Sequence, residues 1–181
     1  LLGLVHLHEQ RCAESLPYLE RAHGRLPRNP LYCLNLGRAL ECLGRPEEAI
    51  ARYREAAALR PDDLATGGKL ALLLQTTGQQ EEAVVEYRRL IGLQPGNAGL
   101  HNNLGNALQA MGRPEEAERA LREAVRLAPE SADAHRNLAN VLLFEGEFQQ
   151  AEALVRRSIE LAPDAAAGYY NLGNVLPRMF R

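Results

Sequence analysis

The sequence predicts an all-α solenoid of stacked antiparallel helix pairs, and three observations carry that prediction. Pro27, Pro61, Pro95, Pro129 and Pro163 recur every 34 residues. In phase with them run Gly44, Gly78, Gly112 and Gly146, then Ala49, Ala83, Ala117 and Ala151, then Leu36-Gly37, Leu70-Ala71, Leu104-Gly105, Leu138-Ala139 and Leu172-Gly173. Composition is the third observation: Ala and Leu fill 59 of 181 positions while Phe, Tyr and Trp fill 9, so helices must pack through many small aliphatic contacts. A fixed period of this length marks one supersecondary unit that buries its apolar face only by stacking on copies of itself.

Each repeat reads as helix A, turn, helix B, turn. Asn29, Asp63, Asn97 and Ser131 stand where a side-chain oxygen caps the first helix, and the Pro two residues earlier stops the preceding one. The Gly of the second register closes helix A. Pro46 and Pro114 then sit at the first position of helix B, where a missing N–H costs nothing, and Glu47-Glu48, Glu81-Glu82 and Glu115-Glu116 complement the positive helix end. Helices of about 12 to 13 residues are marginal alone in water, which again requires stacking. The boundaries that follow are a partial repeat at 1–29, full repeats at 30–63, 64–97, 98–131 and 132–165, and the first helix of another at 166–176. Pro177 falls within that last helix and is expected to end it, leaving 177–181 outside the pattern. With no polar capping helix, Leu172 and Leu176 stay open, so self-association through uncapped ends is expected. The chain lacks an initiator Met and opens on helical residues, and is read as a segment of something longer.

These residues and this period resemble the tetratricopeptide repeat over nearly the whole chain. The aromatic expected in helix B is present at Tyr53 and Tyr87 and replaced by Leu121 and Val155 later. The family's opening Trp is absent, its place taken by Cys33, Gly67, His101, His135 and Tyr169. The resemblance implies a right-handed superhelix whose A helices line a concave, ligand-facing groove.

In the helix A of 98–131, His101, Leu104, Gly105 and Leu108 form the core stripe at i, i+3, i+4 and i+7. Gly99, Asn102, Asn103, Asn106 and Gln109 fall on the other side, within a sector of roughly 120°. Equivalent positions read Asn35 and Arg38, Lys69 and Leu72, Asn103 and Asn106, Asn137 and Asn140, Asn171 and Asn174. Asn costs about 0.5 to 0.7 kcal/mol relative to Ala inside a helix, so a double row of it asks for a reason. A carboxamide pairs with both groups of a peptide unit. Packed helices lie ~8 to 10 Å apart, about three residues of an extended chain at ~3.3 Å each, so one Asn per repeat suits every third peptide bond. The strings NNLGN, RNLAN and YNLGN resemble the asparagine ladder of the repeat domain of O-GlcNAc transferases. The competing reading is that a duplicated Asn merely bonds to the adjacent helix. Arg136, Asn140 and Asn171 also match part of the carboxylate clamp with which chaperone co-factors hold acidic tails, its last part falling beyond Arg181.

Charge and cysteine content exclude other classes. Twenty-one basic against 23 acidic residues rule out a polycationic nucleic-acid binder. No apolar run approaches the ~20 residues of a membrane span, so no membrane partner is expected. Cys12, Cys33 and Cys42 form an odd set without CxxC spacing, which argues against a disulfide framework and a zinc site and fits a reducing, cytoplasmic setting. Gly67-Gly68-Lys69 lacks the first Gly and the Ser or Thr of a phosphate loop. His6 and His8 point apart on a helix, and His101 and His135 are a repeat apart, too far for shared metal ligation. Cys33 and Cys42 have no His at catalytic spacing and read as small apolar residues. The expectation is therefore a non-catalytic module, without cofactor or metal, that binds another protein or an extended peptide through Asn35, Arg38, Lys69, Asn102, Asn103, Asn106, Arg136, Asn137, Asn140, Asn171 and Asn174. The alternative is the substrate-recruiting region of a larger enzyme, such as an O-GlcNAc transferase-like glycosyltransferase.

Overall fold

The structure is a computed structural model and describes residues 11–179, with the side chain of Met179 outside the description. His6, His8, the apolar run 1–7 and the final residues 180–181 lie outside it. Among the described residues there are ten helices and no strand: α1 (Cys12–Arg25), α2 (Pro30–Cys42), α3 (Pro46–Leu59), α4 (Leu64–Thr76), α5 (Gln80–Leu93), α6 (Ala98–Ala110), α7 (Pro114–Leu127), α8 (Ala132–Glu145), α9 (Phe148–Leu161) and α10 (Ala166–Met179). The chain forms two compact units, 1–86 and 87–181. In the first, α1 packs on α2, α2 on α3 and α3 on α4; in the second, α6, α7, α8, α9 and α10 pack in succession, and α8 also touches α6 and α10.

The helix ends follow from the residues expected to make them. Asn29 Oδ1 accepts from the Leu31 amide at 3.0 Å, Asp63 Oδ1 from Ala65 at 3.1 Å, Asn97 Oδ1 from Leu100 at 3.3 Å and Ser131 Oγ from Ala134 at 3.2 Å. Gly44, Gly78, Gly112 and Gly146 all take φ between +68° and +88°, where a side chain is strained. Pro46 and Pro114 open α3 and α7.

The Ala of each B helix, at 49, 83, 117 and 151, is wholly buried, and so essentially are Leu36, Leu70, Leu104 and Leu138. The Gly after Leu serves close approach: a Cβ on Gly37 would stand 2.6 Å from Tyr53 Cε1, and one on Gly105 2.4 Å from Leu121 Cγ. Each removes one methyl so that a large B-helix side chain can fill the hairpin. The pairing is not obligatory, because Ala holds that position both with the smaller Val155 (Ala139) and with the large Tyr87 (Ala71).

Three expectations need correction. α10 runs through Pro177 to Met179. Proline there removes a single amide bond two residues from the helix end. The carbonyl facing its ring belongs to Gly173, which is exposed, and a solvent-side carbonyl can tilt away. Second, Cys12 and Cys42 form a disulfide. They lie 30 residues apart, one at the start of α1 and one at the end of α2, and the antiparallel pair brings their Cα atoms to 6.2 Å. The odd cysteine count concealed an even pair plus one buried free thiol, Cys33. The cysteine-based reason for a reducing compartment goes with it. Third, His101 is only half-buried, with Nε2–H donated to the Pro95 carbonyl at 2.9 Å. His135 is buried as expected and donates Nδ1–H to the Ser131 carbonyl at 2.9 Å.

Candidate functional site

The polar faces of the A helices in the second unit are joined by their own carboxamides. Asn137 Nδ2 on α8 donates to Asn102 Oδ1 on α6 at 2.9 Å, and Asn171 Nδ2 on α10 donates to Asn140 Oδ1 on α8 at 2.7 Å. Within α6, Asn102 Nδ2 reaches Asn103 Oδ1 at a long 3.4 Å. Two rungs therefore tie three A helices through neutral amides. Asn102, Asn103, Asn106, Asn137 and Asn140 are half-buried, Asn171 is buried and Asn174 exposed. Each rung uses one N–H of the donor and part of the acceptor oxygen, and each carboxamide has two N–H groups and two lone pairs in all. Arg136, beside the row, is held by Asp133 at 2.7 Å. Tyr170, at the position equivalent to Asn102 and Arg136, is 73% exposed.

The first unit treats the same positions differently. Asn35 is buried and donates to the Leu31 carbonyl of its own helix at 2.8 Å, so it does not stand on an open face as the periodicity suggested. Arg38, Lys69 and Leu72 carry no such carboxamide, and Leu72 is half-exposed. A Lys where the other unit has Asn changes an uncharged surface into a cationic one.

On the B helices, Arg54 pairs with Glu82, Arg88 with Glu116 at 2.7 Å, and Arg122 with Gln150 at 3.4 Å. Each link spans 28 residues and recurs at the repeat period. The Glu at the start of a B helix thus serves the helix dipole and also grips the Arg of the preceding B helix. The links are exposed to solvent, where screening leaves them little weight in stability. Arg113 and then Arg88 hold the Glu116 carboxyl below the usual carboxylate range. Tyr53 O–H donates to Glu41 at 2.5 Å, and burial followed by that carboxylate raises its pKa well above normal. Burial alone raises Tyr87 to about 12.

One cluster lay outside the sequence reading. Cys33 Sγ, wholly buried, stands 3.7 Å from His23 Nδ1, and His23 Nε2 lies 3.8 Å from Glu55 Oε2. Burial and then Glu55 push the Cys33 thiol up. Spacing along the chain could not show this, because the three residues come from α1, α2 and α3.

Tetratricopeptide-repeat profiles match residues 30–63, 71–112 and 96–164. This chain is a tetratricopeptide-repeat protein. Its all-α helix-pair fold is shared with solved structures of the same type. A MamA fragment from Desulfovibrio magneticus RS-1 superposes with a TM-score of 0.84 at 21% identity, over 91% of this chain and 93% of that one. YrrB, described as a TPR protein with an unusual peptide-binding site, gives 0.70 at 20% over 90% and 84%. TTC0263, a thermophilic TPR protein of Thermus thermophilus, gives 0.68 at 23% over 97% and 96%. At these identities the likeness speaks for the fold. No curated protein sequence matches the chain. No helix among the described residues of this tetratricopeptide-repeat protein is long and apolar enough to cross a membrane.

Proposed function

We propose that this chain is a non-catalytic protein-interaction module whose second unit holds an extended peptide along the carboxamide face of α6, α8 and α10. The observation that carries this reading is the pair of Asn rungs, 137 to 102 and 171 to 140. They fix carboxamides one repeat apart on a face that offers donors and acceptors without charge, which is what a peptide backbone of any sequence requires. Neighbouring packed helices are spaced ~8 to 10 Å, so successive rungs meet about every third residue of an extended ligand. Preformed rungs also lower the ordering cost of binding. That a solved protein of this fold is described as having a peptide-binding site supports the same class of ligand. In this reading the repeats 30–63, 64–97, 98–131 and 132–165 belong to one array over 1–176. Arg136, beside the same face, adds selectivity for acidic segments.

The test is to capture the ligand with a photo-crosslinking group at Asn106, synthesise the captured segment and scan it with single N-methyl groups. Affinity should fall at every third peptide by about 0.5 to 1.5 kcal/mol per lost hydrogen bond, with little effect between. Equal tolerance at all positions would remove the backbone-reading mechanism.

A further inference from the structure

The geometry points to a zinc-class metal site built by His23, Cys33 and Glu55. One donor atom from each residue can be chosen so that all three lie within 4.8 Å of one another. The residues come from three packed helices, α1, α2 and α3, in the first unit.

The donor set is a thiol, an imidazole nitrogen and a carboxylate oxygen, the mixture of N, S and O ligands that a borderline-soft dication prefers. With metal–ligand bonds of ~2.0 to 2.3 Å, donors around a tetrahedral centre stand about 3.3 to 3.8 Å apart. The observed 3.7 Å from Cys33 Sγ to Nδ1 and 3.8 Å from Nε2 to Glu55 Oε2 involve opposite ring nitrogens. A small swing of Glu55, whose side chain is 42% exposed, therefore brings its oxygen to whichever nitrogen binds. Three protein ligands leave the fourth position to water, as in open zinc sites.

A cation already stands in this space. Arg52 Nη1 lies 3.0 Å from His23 Nε2 and 2.9 Å from Glu55 Oε2. Arg52 donates to Nε2; once it turns away, the ring proton can sit on Nε2 and leave Nδ1, which faces the Cys33 sulfur, to bind the metal. Arg52 is 29% exposed and can turn out to solvent when a metal takes its place. The thiol proton, now directed at the Pro27 carbonyl at 3.5 Å, leaves to buffer. Thiolate and carboxylate then balance the two charges of the metal.

The residue pattern sets this place apart from its copies. Where α1 has His23, the other B helices carry Ala57, Ile91, Val125 and Ile159; where α2 has Cys33, the equivalents are Gly67, His101, His135 and Tyr169. A ligating pair in contact at these two positions therefore occurs in this hairpin alone among the described repeats.

The probe is Co2+, titrated into the full chain with the Cys12–Cys42 disulfide intact and no thiol reductant, followed by near-ultraviolet absorbance. We expect one equivalent to bind with a thiolate-to-cobalt charge-transfer band and release of one proton, and Zn2+ to erase the band stoichiometrically. Cys33→Ser should abolish the band. Glu55→Gln, at a partly exposed position, should keep the fold by circular dichroism and weaken Co2+ binding more than tenfold; His23→Gln should do likewise. If Cys33→Ser does not fold, the Glu55 and His23 variants decide. Absence of the band at saturating Co2+ in the folded chain, or unchanged affinity in the Glu55 and His23 variants, would overturn the site and leave the cluster a hydrogen-bonded packing of Arg52, His23 and Cys33.

Discussion

The units of 1–86 and 87–181 follow one helix-pair plan and share Arg–Glu links between B helices, but their other polar links differ in chemistry. In the first, the polar links are covalent or charged: the Cys12–Cys42 disulfide, the Arg52, Glu55 and His23 group, and Tyr53 on Glu41. In the second, the A helices are joined by neutral Asn rungs. The apolar frame of Ala and Leu is common to both. Packing that repeats faithfully enough to stack thus leaves the polar positions free to diverge, and the divergence separates a clamped unit from one whose A helices share a carboxamide face.

The largest effect should come from the shared frame. Leu138→Ala, at a 2% exposed site, should cost about 2 to 5 kcal/mol in denaturant unfolding, and Leu172→Ala, half-buried on α10, clearly less. Equal losses would contradict nearest-neighbour stacking. Next is the clamp: removing the disulfide, which closes a separation of 30 residues, should cost about 3 kcal/mol. Hydrogen exchange should show the loss in α1 and α2 while α8 and α9 keep their protection; a uniform loss would erase the distinction between the units. Gly105→Ala should then destabilise by about 1 to 3 kcal/mol, because its Cβ would meet Leu121. Gly68→Ala, with open space around it, should stabilise by about 0.5 to 1 kcal/mol, and thermal melts of the pair separate close approach from helix propensity.

Last is the cap of α4, the one effect of the series that pH controls. The Thr66 hydroxyl, then the backbone amides of Thr66 and Ala65, hold the Asp63 carboxyl below its ordinary value. A depressed folded pKa means that this stabilisation is complete above the unfolded value of about 3.9 and is lost as pH falls through the lower folded one. Asp63→Ala should cost about 0.5 to 2 kcal/mol near neutrality, and its difference from the parent should shrink in acid melts. A difference that persists undiminished well below the unfolded value would assign the loss to packing.

Local signals were legible in the sequence and lateral ones were not. Caps at Asn29, Asp63, Asn97 and Ser131, and the left-handed Gly turns, depend on residues at most a few positions apart, and the structure has them where the period puts them. The disulfide and the Asn rungs join residues 30 to 35 apart, where side-chain direction decides contact. Asn35 shows the same limit, since its register is that of Asn103 but its side chain turns onto Leu31. Pro177 was misread because the penalty of a helical proline depends on how near the end it sits. The 28-residue Arg–Glu spacing, by contrast, is periodic and visible in the sequence.

The central claim is that carboxamides outside the rungs serve a ligand, whereas Asn102, Asn137, Asn140 and Asn171 also serve the fold. On helix propensity alone, Ala at Asn103, Asn137 or Asn171 would leave stability unchanged or higher; the rungs at 137 and 171 remove two of the three. The decisive measurement is calorimetric titration of the captured segment into an Asn106→Ala, Asn174→Ala variant, beside its thermal melt. The account predicts an affinity loss of about 0.5 to 1.5 kcal/mol per hydrogen bond, little changed by salt, with a melting temperature that is unchanged or higher. Unchanged affinity, or a fall in melting temperature that accounts for the loss, would contradict it and assign the whole row to structure.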